Sequence, residues 1–88
     1  MKPTIDNEPL RREAQRAVGQ WATWNGLAHD MGWLRRASQG NRIHGDGTRL
    51  KRALGIMPNR GVIQKTIGLE NAEKAMRALN LDPVDVGL

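Results

Sequence analysis

Between Leu69 and Leu79 the sequence LENAEKAMRAL sets Leu69, Ala72, Ala75, Met76 and Leu79 at three- and four-residue steps. Glu70, Glu73, Lys74 and Arg77 fall between them. That spacing predicts an α-helix with one apolar face. The face needs a cover, and 88 residues can build only one modest core, because a chain of this length buries about 60–65% of its unfolded surface. Every other element must be short and pack on that face.

Upstream, Asp6 or Asn7 is placed to cap a helix with Glu8 and Pro9 in its first turn. Leu10, Ala14, Ala17, Val18 and Trp21 form its apolar stripe, and Gly19 weakens its end, so it stops near Gln20 or Trp21. Thr23 can cap a second helix, Trp24 to Met31, with Leu27, Ala28 and Met31 inward and Gly32 as its left-handed terminator. From Trp33 to Gly47 the chain is rich in Gly, Ser, Asn and Arg and reads as loop. A third helix runs from Gly47 or Thr48 to Leu54, capped by Asp46 or Thr48 and closed by Gly55, and Pro58 keeps it from continuing. NRGVIQKTIG, 59–68, reads as loop or as a small wing-like hairpin near 60–67. Asp82 and Pro83 start a final turn that docks Val84, Val86 and Leu88. The expectation is one all-α domain over residues 1–88, a compact bundle of four to five helices, with 1–6 flexible.

The net charge of +5 is unevenly spread. Arg35, Arg36, Arg42, Arg49, Lys51, Arg52, Arg60 and Lys65 share their segment with a single acid, Asp46, for a local charge of 8 − 1 = +7. The remaining residues carry six bases and eight acids, 6 − 8 = −2. An asymmetry of this kind marks a polyanion partner more often than a merely solvated face. No apolar run approaches the roughly 20 residues that span a bilayer, and the N-terminus lacks a signal-peptide core, so no membrane is expected and the location is read as cytoplasmic. The absence of cysteine removes disulfides and thiolate metal sites.

LAHDMGW, residues 27–33, resembles the first helix and turn of helix-turn-helix regulators of the phage repressor and Cro type. In that pattern Ala28 is small because the second helix crosses over it, and Gly32 takes a backbone conformation that side chains resist. The order of elements and the ending ALNLDPVDVGL are similar too. The sequence departs from the pattern in one respect. The buried aliphatic residue expected six positions after the turn glycine would be Ser38, and the residue fitting that role is Leu50. Either the turn has grown by about a dozen residues or LRRASQ, 34–39, is itself the recognition helix. The enlarged turn is preferred, since Gly40 would cut the alternative helix below two turns and Ser38 is a poor core anchor.

The resemblance implies a sequence-specific regulator of double-stranded DNA that reads the major groove with helix 48–54. Arg49 and Arg52 offer the paired donors that guanine requires, and Thr48 can touch a thymine methyl or a phosphate. Lys51 lies off that face, and with Arg35, Arg36, Arg42, Arg60, Lys65 and Thr66 it is assigned to the DNA backbone on charge. A homodimer on a palindromic site is expected, its surface either Val84, Val86 and Leu88 or the outer face of the first helix.

The same residues support other functions less well. Trp21 and Trp24 are read as core rather than as a base-stacking platform, and Trp33 as an apolar plug. His29, Asp30, His44 and Asp46 lack the spacing of a metal set, GNRIHGDGT is neither a phosphate loop nor a calcium loop, and no nucleophile set is present. No enzyme activity, metal or cofactor is expected. Two alternatives share the basic surface: an adaptor or inhibitor gripping an acidic host protein, and an RNA-binding domain using the Arg-rich turn.

Overall fold

The computed structural model describes residues 3–36 and 42–88. The element order is β1 (Thr4–Asp6), α1 (Glu8–Gln20), α2 (Trp24–Asp30), β2 (Leu34–Arg36), β3 (Ile43–Gly45), α3 (Gly47–Ala53), β4 (Thr66–Gly68) and α4 (Leu69–Leu79), followed by a 3₁₀ turn at Pro83–Val86. The domain is α+β: the described residues form four α-helices and two antiparallel two-stranded sheets, β1–β4 and β2–β3. The all-α expectation is therefore wrong. Each strand has only three residues, too few for alternation to stand out against turn-rich composition.

Helix α4 occupies the range that its periodicity predicts and ends in a left-handed cap at Asn80 (φ 56°). Its buried residues Ala72, Ala75, Met76 and Leu79 meet the Leu10, Ala14 and Ala17 stripe of α1. Leu27, Ala28, Met31, Trp33, Leu50, Leu54, Ile67 and Val86 complete the same core, each large aliphatic member contributing about 1.5–3 kcal/mol by burial.

Helix starts follow local chemistry. The Thr23 hydroxyl accepts from the Gly26 amide at 3.0 Å and caps α2. Asp46 does the same for α3, accepting from the Arg49 amide at 3.1 Å. At α1, Asp6 accepts from the Glu8 amide, and Asn7, although in the cap position, turns its side chain elsewhere. Gly32 (φ 81°) ends α2 in the left-handed region, and the chain leaves it into a β-hairpin.

That hairpin, β2–β3, lies where loop was expected. Leu34 pairs with Gly45, Arg35 with His44 and Arg36 with Ile43. The strand at Leu34–Arg36 also removes LRRASQ as a recognition helix; the rest of that segment, with Ser38 and Gly40, lies outside the described residues. No wing forms at 60–67. There a lone Asn59–Val62 bridge closes a turn, and Thr66–Gly68 pairs instead with Thr4–Asp6, so residues 4–6 are not a loose arm; Met1 and Lys2 lie outside the described residues. Trp21 is 60% exposed rather than core, because α1 ends just before it. Of the three C-terminal apolar residues only Val86 docks, while Val84 and Leu88 stay exposed.

Candidate nucleic-acid interface

Helix α2 packs against α3 and against β3 of the hairpin. Three contacts close the base of the hairpin. The Trp33 carbonyl accepts the Asp46 amide at 2.8 Å, the Asn25 side chain accepts the Gly47 amide at 3.0 Å, and Gly45 lies directly on the α2 backbone at Asn25 and His29. Gly45 and Gly47 are required because no side chain fits there: a Cβ on Gly47 would stand 2.9 Å from the Asn25 amide nitrogen. The pair of glycines around Asp46, read in the sequence as a turn, is a docking surface for α2.

Leu50 and Leu54 are buried beneath α3, which leaves Arg49 and Arg52 exposed. Three residues apart, these two arginines share one helix face. The Arg49 guanidinium lies over the Trp33 ring, its carbon 4.2 Å from the ring centroid. Lys51 turns the other way, its Nζ 6.0 Å from the centroid of the half-buried Trp24. Thr48 is half-buried in the first turn.

The flanking basic residues separate into groups. Strand alternation sends Arg35, with His44, to one face of the hairpin and Arg36, with Ile43, to the other. Arg42 is exposed just before β3. At the opposite end of α3, Asn7 ties down the segment that carries Arg60 and Lys65. It is fully buried, and its Nδ2 donates to the Ala53 carbonyl at 3.0 Å and the Gln64 carbonyl at 2.9 Å. Arg11 reinforces this junction by donating to the Asn7 Oδ1 and to the Leu54 carbonyl. Arg60 sits at the turn in a left-handed conformation (φ 53°). Lys65 and Thr66 line a shallow groove with Asp6 and Glu8, so carboxylates stand next to them. Of the ten residues singled out, Thr66 is the least suited to a phosphate.

The electrostatics of this region are one-sided. Among the described residues the ion pairs are Arg12–Glu8 at 2.5 Å and Arg16–Glu13 at 3.8 Å, both within α1. Among the described residues none of the eight bases between Arg35 and Lys65 has an ion-pair partner, and the one carboxylate in that segment, on Asp46, is engaged in capping α3. Among the described residues no three metal-ligating side chains gather, and no helix is long and apolar enough to cross a membrane. No family model, curated protein or solved structure matches the chain.

Proposed function

We propose that this protein is a sequence-specific double-stranded DNA-binding regulator that lays α3 in the major groove. The observation that carries the reading is the set of bases around α3 that have no ion-pair partner among the described residues, the Asp46 carboxylate in their midst being taken up by the Arg49 amide. Arg49 and Arg52 share an exposed face, the spacing needed for two donors to meet neighbouring base pairs. Arg35, Arg36 and Arg42 on the hairpin before α3 and Arg60 on the segment after it supply contacts to the phosphates that run on either side of a groove. Lys51 and Lys65 add to the field, and Thr48 contacts the backbone or a thymine methyl at the start of the helix. A module this small binds through few contacts, so it acts as a symmetric dimer on a palindromic site, in the compartment that holds the DNA.

The test is selection from a random duplex library, followed by titration of the winning duplex and a scrambled one at two salt concentrations. Affinity falls steeply with salt for both. Arg49→Ala with Arg52→Ala erases the difference between the two duplexes while leaving much of the total binding. Equal loss on both would sink the base-reading assignment. Displacement of the duplex by structured RNA, or retention of an acidic protein partner after nuclease treatment, would replace DNA as the ligand.

A further inference from the structure

Trp33 is held at the base of the hairpin by its backbone on both sides. Its amide donates to the Ala28 carbonyl at 2.9 Å and its carbonyl accepts the Asp46 amide at 2.8 Å. The residue is only 4% exposed, and the Arg49 guanidinium lies over its ring. The backbone of Arg49 is fixed by the same residue, since its amide donates to the Asp46 carboxylate. Platform and passenger are thus both set by Asp46. Among the described residues, no hydrogen bond occupies the Arg49 guanidinium, although that group has five N–H donors.

A guanidinium stacked by its flat face keeps its edge free. The edge is the part that pairs with O6 and N7 of guanine. A long side chain loses most of its rotamer freedom on binding, and one already stacked has less to lose. We propose that Trp33 is a positioning residue for base reading: it holds the Arg49 guanidinium flat so that its two-donor edge meets a guanine in the major groove. The assignment rests on the DNA-binding reading above. Arg52, with no aromatic platform, then contributes the weaker preference.

The experiment is a double-mutant cycle on the duplex selected by the wild-type protein, comparing its Arg49-dependent guanine with adenine at that position. Trp33→Leu lowers the discrimination about fivefold to tenfold in the wild-type background and less than about twofold when Arg49 is already alanine. The salt dependence of binding stays unchanged, because phosphate contacts are untouched. In DNA-free protein the Arg49 Cδ protons are shifted upfield by the indole ring current, and Trp33→Leu abolishes the shift. Should Trp33→Leu not fold, Trp33→Phe carries the same cycle with a loss of about twofold to threefold. Equal losses in both Arg49 backgrounds would make Trp33 merely structural, and an undiminished discrimination would overturn its role. If the wild-type protein selects no motif yet shows the upfield shift, the DNA reading fails and the stack stands.

Discussion

Gly45 offers the sharpest test of how the hairpin is held. A Cβ at this position would press into the Asn25 carbonyl oxygen, and would lie 2.5 Å from the His29 amide nitrogen and 2.8 Å from the Asn25 carbonyl carbon. All three atoms are α2 backbone and cannot rotate away. Ordinary contact begins at 3.4 Å, so the base of the hairpin must lift by at least 3.4 − 2.5 = 0.9 Å from the His29 nitrogen. A lift of that size stretches the 3.0 Å bond from the Gly47 amide to Asn25 past hydrogen-bonding range. Losing that bond costs about 1 kcal/mol, and the steric displacement about 1–3 kcal/mol more. Gly45→Ala is therefore expected to destabilise by about 3 kcal/mol, a fall of roughly 12–24 °C in Tm for a domain of this size. Thermal and urea melts measure it, with Gly68→Ala as the control because its added Cβ meets nothing within 4 Å. A Gly45→Ala protein within 1 kcal/mol of wild type would mean that the hairpin does not rest on α2.

Other substitutions probe the remaining elements. Asn7→Ala orphans the Ala53 and Gln64 carbonyls and should cost about 2–4 kcal/mol; urea melts read this, and a loss below 0.5 kcal/mol would dismiss the junction as incidental. Gly19→Ala, on the exposed side of α1 with open space around it, should stabilise by about 0.5–1 kcal/mol in the same assay; a negative result there contradicts the helical end of α1. If the six central bases assigned to the backbone reach phosphates, log K against log salt should fall with a slope of about −5. Removing Arg60 alone should flatten that slope by about 1, whereas Thr66→Val should leave it unchanged.

The four helices were legible because their signals are local. The α4 stripe, the Thr23 and Asp46 caps and the Gly32 and Gly55 terminators each act within a turn of the chain. The strands were not legible, for a reason visible at β1. Thr4–Asp6 is a strand only because Thr66–Gly68 lies beside it, and three residues carry no period of their own. The hairpin was hidden similarly: its two glycines report a close approach to α2, which a reading along the chain takes for turn chemistry. The basic residues of the candidate interface were visible from charge alone. Their arrangement was not, since Trp33 and Arg49 meet across the hairpin and Asn7 reaches residues 46 and 57 positions away. Trp21 misled because helical spacing continues one step past the point where α1 stops.

The distribution of sequence separations among these contacts also sets an order of events. Everything that fixes α3 against α2 and the hairpin lies between Thr23 and Leu54, whereas Ile5 must wait for Ile67 and Asn7 for Gln64. Nearby partners find each other faster than distant ones. On a ribosome adding about 5–20 residues per second, the 14 residues from Leu54 to Gly68 take roughly one to three seconds to make. The α2–hairpin–α3 unit thus has its own partners in hand while β1 and α1 are still without theirs, and the pairing of β1 with β4 and of α1 with α4 follows it.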